Sequence, residues 1–261
     1  MSVSLRTVAR DFRREIRDDH LGQGAAALAF YWMLALFPAA IFLLTLLAYL
    51  PIPHLERAVM HFARTTLPDD AGALLSSFVD TVLNRKRGGL LSFGAVLTVW
   101  STSSGIHALM HQLNVAWDVD ERRPFWRRRA VAMLIAMCFV LLIIAAFGLI
   151  VFGRALHLRL LRWVVICGAL LVGIALIYHY GPNVRRRFRV VTPGSLLALA
   201  MLIVASVAFQ VFVSRVASYS ITYGSLGAAI TLMMWLYLAA WAILLGAELD
   251  ATLASYVGAR S

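Results

Sequence analysis

The sequence predicts an all-α fold, a polytopic membrane bundle of about six transmembrane helices, and three observations carry that expectation. Hydrophobic residues make up 61% of the 261 and charged residues 14%, against about 45–50% and about 25% in a soluble domain. Six windows, 25–50, 90–113, 130–152, 163–180, 194–214 and 226–247, contain none of the 37 Lys, Arg, Asp and Glu residues. Each window has roughly the 17–25 residues that a helix needs to cross about 30 Å of hydrocarbon, with tilt absorbing the excess of the first. This partition excludes an ordinary soluble enzyme, and residues 1–261 are read as a single integral membrane domain.

Residues 1–24 read as an interfacial helix. Leu5, Val8, Phe12 and Ile16 recur at helical spacing, and Arg6, Arg10, Arg13, Arg14 and Arg17 take other positions. Such a helix lies in the headgroup region with its apolar stripe down. Gly22 and Gly24 are expected to separate it from the first span, which Pro38 should kink. That span is too long for a signal peptide and ends in Leu50-Pro51-Ile52-Pro53, without a small-residue cleavage site. Residues 51–89 carry two short apolar faces around Leu67-Pro68-Asp69-Asp70, the pattern of an amphipathic helical hairpin on one membrane surface. The connections 114–129, 153–162, 181–193 and 215–225 are short.

The formal charge of +11 follows the same geography. Its Arg clusters flank apolar windows, where anionic lipid headgroups are the nearest partner, and no nucleic-acid partner is expected. With the N-terminus inside, 15 Lys and Arg fall on the cytoplasmic side and nine on the other, which favours six spans with both termini cytoplasmic. Cys138 and Cys167 sit in mid-window, where a thiol behaves as a small hydrophobe.

Ser103, His107, His111, Asn114 and Asp118 recur every three or four residues and share one helix face. A polar stripe at membrane depth should face other helices or a water-filled cavity. It can line a substrate path or make interhelical hydrogen bonds. Gln210 and Tyr223 are further candidates for such a path. His107 and His111 stand at i and i+4, but no third ligand accompanies them, so no metal is expected. Asp118, Arg123, Arg185, Glu248 and Asp250 should emerge on one cytoplasmic face, where a salt-bridge set tying helix ends is preferred to a proton site. Tyr219, Tyr223, Trp235, Tyr237 and Trp241 are read in part as interfacial aromatic belts. The chain has no nucleophile elbow, phosphate-binding loop or dinucleotide fingerprint, so no catalytic residue, cofactor or enzyme activity is expected.

Several fragments in order resemble the YihY/BrkB family of bacterial inner-membrane proteins over nearly the whole chain. They are Ala29-Phe30-Tyr31, Phe37-Pro38, Asn114-Val115-Ala116-Trp117-Asp118-Val119, Arg123-Pro124-Phe125-Trp126 and Tyr180-Gly181-Pro182-Asn183, then Thr222-Tyr223-Gly224-Ser225-Leu226-Gly227, Trp235-Leu236-Tyr237 and Gly246-Ala247-Glu248-Leu249. Trp117 and Asp250 depart mildly from the family's pattern. The resemblance implies a six-span inner-membrane protein, with members linked to virulence, serum resistance and movement of lipids, and relatives once labelled ribonucleases. A transporter or flippase-like exporter of a lipid or anionic amphiphile is the leading expectation. A non-transporting scaffold with envelope protein partners is the alternative, and a ribonuclease comes last. A reporter fused after Ser261 is expected to be active on the cytoplasmic side; activity on the outer side alone reverses the orientation.

Overall fold

Helices are the only regular elements among the described residues, 5–49, 88–138, 159–184, 187–216 and 219–258 of the computed structural model. They are α1 (Leu5–Asp18), α2 (Leu21–Tyr49), α3 (Gly88–Ala116), α4 (residues 125–138), α5 (Arg159–Tyr180), α6 (Pro193–Val216) and α7 (Tyr219–Gly258). The hairpin expected over 51–89, apart from its last two residues, and the second half of the third window lie outside the described residues. Within the described residues, Pro193–Val213 and Ala229–Tyr256 are long and apolar enough to cross a membrane, and Leu21–Leu36 and Val164–Tyr180 are shorter apolar helical stretches. In the most apolar 18-residue stretch of Pro193–Val213 only 6% of the residues are buried inside the protein. Ile203, Val204, Val207 and Val211 on α6 are exposed, which suits a surface solvated by lipid tails.

Two junctions differ from the sequence reading. Gly22 and Gly24 do not form a spacer, because α2 begins at Leu21 and contains both. Their lack of a side chain serves close packing: a Cβ on Gly22 would stand 3.5 Å from the Trp241 ring, and one on Gly24 would strike the Gln112 side chain. The actual break is at Asp19 and His20. His20 takes φ 49°, donates its N–H to Arg17 O at 3.2 Å, and accepts at its own carbonyl from Gln23 and Gly24. The second difference is at 215–225, which is almost wholly helical, with α6 running to Val216 and α7 starting at Tyr219. Tyr237 and Trp241, read in part as belt residues, are half-buried and pack against the core beside Gly22.

The buried core joins α2, α3, α5, α6 and α7 through Leu28, Met110, Leu113, Ile177, Ala198 and Leu244, among others. α1 reaches it through Ile16, and the Tyr256 hydroxyl of α7 donates to Asp11 Oδ2. Small residues set the tightest crossing. A Cβ on Gly194 of α6 would collide with the carbonyl oxygen of Gly246 on α7, and one on Gly246 would meet Gly194 O, the Ala198 methyl and the Tyr178 hydroxyl. Such approach between membrane helices gains dispersion contacts that lipid cannot supply. Tyr178 completes the crossing by donating to Ile243 O at 2.5 Å.

The start of α6 is fixed by a reciprocal cap. Ser195 N–H donates to Thr192 Oγ1 at 3.0 Å, and Thr192 N–H donates to Ser195 Oγ at 2.8 Å. Pro193 occupies the first helical position, where a missing N–H costs nothing. Gly246→Leu is expected to lower stability by about 1–3 kcal/mol through overpacking at the α6–α7 crossing. A melting curve of the purified variant in detergent that matches the unaltered protein contradicts this close approach.

Candidate functional site where helix ends meet the outward face of α3

α3 ends in a Schellman motif. Asp118 adopts φ 49°, Val119 N–H donates to Asn114 O at 3.0 Å, and Asp118 N–H donates to Val115 O at 2.9 Å. The chain then folds back so that Glu121 meets Asn114, whose Nδ2 donates to Glu121 Oε2 at 3.0 Å. Arg123 grips the same carboxylate with Nε at 2.8 Å and Nη2 at 2.7 Å, a bidentate pair. Its Nη1 and Nη2 also donate to Tyr180 O at 3.0 Å and Gly181 O at 2.7 Å, satisfying carbonyls at the end of α5. Asn183 closes the knot, its N–H donating to Asn114 Oδ1 at 2.7 Å and its Nδ2 to Asp120 O at 3.1 Å. Burial raises the Glu121 carboxyl, but the Arg123 and Asn114 hydrogen bonds and the Arg123 charge outweigh it and hold the group down at about 2.

The polar stripe of α3 divides along its length. Ser103 and Asn114 are buried at 2% and 3% exposure, whereas His107, His111 and Asp118 are exposed. At 100° per residue Ser103 and Asn114 form the inner edge of the stripe and His107 and His111 its outer edge, so it straddles the rim of the helix contact, while Asp118 lies beyond the end of α3 in the left-handed turn. Ser103 Oγ is buried without a hydrogen-bond partner. Asn114, grouped with the histidines by its spacing, is instead taken up by the knot. The outer edge continues into Trp100, which is 64% exposed and lies under the Arg129 guanidinium, 5.1 Å from the ring centroid. Arg128 and Arg129 of α4 are also among the charges nearest His107, and Arg128 Nε is buried with no acceptor.

The expected salt-bridge set at the ends of the helices is not what the described residues form. Arg123 pairs with Glu121, which lies between the fragments 114–119 and 123–126 and is not among the expected site residues. Asp250 Oδ1 accepts Gly194 N–H at 2.8 Å, placing a carboxylate at the N-terminus of α6, where the helix dipole favours it. Glu248 is 2% exposed, no described cation bridges it, and its Oε2 lacks a hydrogen-bond partner. Asp118 is exposed at the turn, and Arg185 lies outside the described residues. Gln210 is exposed on the outer side of α6 rather than engaged with a neighbouring helix; Tyr223 belongs to α7, but its side chain lies outside the described set. Among the described residues no group of three or more His, Cys, Asp and Glu is arranged to hold a metal ion.

Because the carboxyl of Glu121 titrates lower in the folded chain, it adds stability that is fully present above its ordinary value of 4.5 and is lost as pH falls toward about 2. Glu121→Gln should therefore be less stable than the unaltered protein at neutral pH, by about 1–3 kcal/mol for a lost charged hydrogen-bond set. The gap should close as the pH drops through that window in melting experiments. A gap independent of pH refutes the assignment of the carboxylate as the centre of the knot.

Comparison with known proteins identifies the background of this architecture. The model of the family described as virulence factor BrkB matches residues 12–261. A ribonuclease-like protein, YfkH, of Bacillus subtilis is 38% identical over 252 residues, covering 90% of each chain. A UPF0761 membrane protein of Verminephrobacter eiseniae is 28% identical over 263 residues, 96% of this chain and 63% of the relative. One of Xanthomonas oryzae pv. oryzae is 28% identical over 257 residues, 93% of this chain and 60% of the relative. The chain thus spans somewhat under two thirds of the length of these UPF0761 relatives. No solved structure matches. With the family model covering all but the first 11 residues, the chain is a membrane protein of the BrkB family.

Proposed function

We propose that this protein is a transporter or flippase-like exporter that moves a lipid or other anionic amphiphile across the bacterial inner membrane, with both termini in the cytoplasm. The observation that carries the reading is the outward polar edge of α3 beside an uncompensated cationic helix end. His107 and His111 are exposed on the same side as Trp100, with Arg128 and Arg129 nearby and one Arg128 nitrogen buried without an acceptor. Exposed polar side chains at membrane depth are costly unless a polar companion or water accompanies them. An anionic headgroup is such a companion, and it answers the Arg donors as well.

The geometry supports a sequence of roles. The five Arg residues of α1 line an open cavity of about 620 Å³ with Asp18, which attracts acidic headgroups to the surface. Arg128 and Arg129 receive the headgroup at the start of α4. His107 lies nine residues before the end of α3, about 14 Å along the helix axis. A headgroup following His111 and His107 therefore travels about half of the roughly 30 Å hydrocarbon core while its tails stay in lipid. The exposed apolar face of α4, including Met133 and Met137, flanks that route.

The test is movement of fluorescent anionic and zwitterionic lipids in proteoliposomes. The unaltered protein should translocate the anionic probe, and a His107→Leu/His111→Leu double variant should be about tenfold slower, roughly 1.4 kcal/mol at the barrier. Rates equal to protein-free vesicles for every lipid and amphiphile probe overturn transport. Unchanged rates in the double variant overturn this route.

A further inference from the structure

Glu248 presents a separate problem. It lies near the end of α7, 2% exposed, with Oε2 unpartnered. The side chain within hydrogen-bonding reach is Asp19, from the turn between α1 and α2, another acid. Two ionised carboxylates repel and have no proton to share, so a carboxyl–carboxyl hydrogen bond requires one of them to be protonated. Among the described residues no cation forms a salt bridge with Glu248 or Asp19: of the arginines of α1, Arg14 pairs with Asp18, and Arg6, Arg10, Arg13, Arg14 and Arg17 line the open cavity. Glu15 of α1 and Asp118 after α3 are acidic, as is Asp250 on the same helix, which is engaged at Gly194 N–H. α2 carries no Asp, Glu, Lys or Arg, and the single ionised group of α6, Arg215, lies near its far end.

We infer that Glu248 and Asp19 form a binding site for one proton, with the Glu248 carboxyl donating to the Asp19 carboxylate. Burial decides the order: Glu248 is enclosed, whereas Asp19 keeps partial access to solvent and hydration. Burial and the negative charge of Asp118 also hold the Asp19 carboxyl above its ordinary range, consistent with an acid pair that retains a proton. The bond joins α7 to the α1–α2 turn and is independent of whether anything is transported. Loss of the proton would set two anions against each other at the place where α1 meets the bundle, so the site couples the docking of the interfacial helix to proton activity.

Infrared spectroscopy of the full chain in lipid nanodiscs reads the site directly, without a transport assay. At neutral pH the unaltered protein should show a protonated carboxyl C=O band that shifts in heavy water. Glu248→Gln, which keeps a donor toward Asp19, should abolish it. Asp19→Asn should retain the band at acidic pH but lose it on alkaline titration about one pH unit or more earlier, because the anionic neighbour is gone. Absence of the band from the folded protein at neutral pH overturns the inference, as does its persistence in Glu248→Gln or an unchanged titration in Asp19→Asn.

Discussion

A membrane helix that ends near hydrocarbon must find donors for its last carbonyls, and here one guanidinium does that for two chain segments at once. Arg123 holds Glu121 on one side and the carbonyls of Tyr180 and Gly181 on the other. The loop after α3 and the end of α5 are thereby one unit, with Asn114 and Asn183 as its inner bonds. Fixing the end of α5 fixes Tyr178, whose hydroxyl lies in the notch at Gly246 and bonds α7. Removing the guanidinium would strand a carboxylate and two carbonyls together, a cost that neutral repacking cannot recover.

The same end of the bundle contains two contrasting treatments of buried acid. Glu121 and Asp250 receive donors, one from a guanidinium and one from the first-turn amide of a helix start. Glu248 receives neither and faces its own kind. The difference follows from backbone placement. Asp250 meets the first turn of α6, where unsatisfied N–H groups point outward, whereas Glu248, two residues earlier, is turned toward the α1–α2 junction.

Much of the helix layout was legible because charge marks the limits of solvation. α3, α5 and α6 start and stop within a few residues of the uncharged windows. The start of α7 was not, since Tyr219, Tyr223, Gly224 and Ser225 have the composition of a turn, and small or polar residues inside membrane helices are stabilised by neighbours rather than by their own propensity. Spacing placed Ser103, His107, His111 and Asn114 on one face of α3, whereas Asp118 falls beyond the end of that helix in the left-handed turn. It could not say where the edge of the helix contact falls across that face, because this depends on how α2 and α4 approach. The partner of Glu121 was within reach, since Arg123 and Asn114 were both singled out, whereas the meeting of Asp19 and Glu248 spans most of the chain and leaves no local pattern.

α7 contains 40 residues, which at 1.5 Å each makes a rod about 60 Å long. To fit inside about 30 Å of hydrocarbon it would have to lean by about 60°, beyond the roughly 0–40° seen for membrane helices. Part of it must therefore stand clear of the bilayer as a mast. The segment from Glu248 through Tyr256 is where α1 attaches, so the amphipathic helix is tied to this rod. Where α1 sits is then set by a rigid element as well as by its own sequence, so a change in the lean of α7 would carry α1 with it.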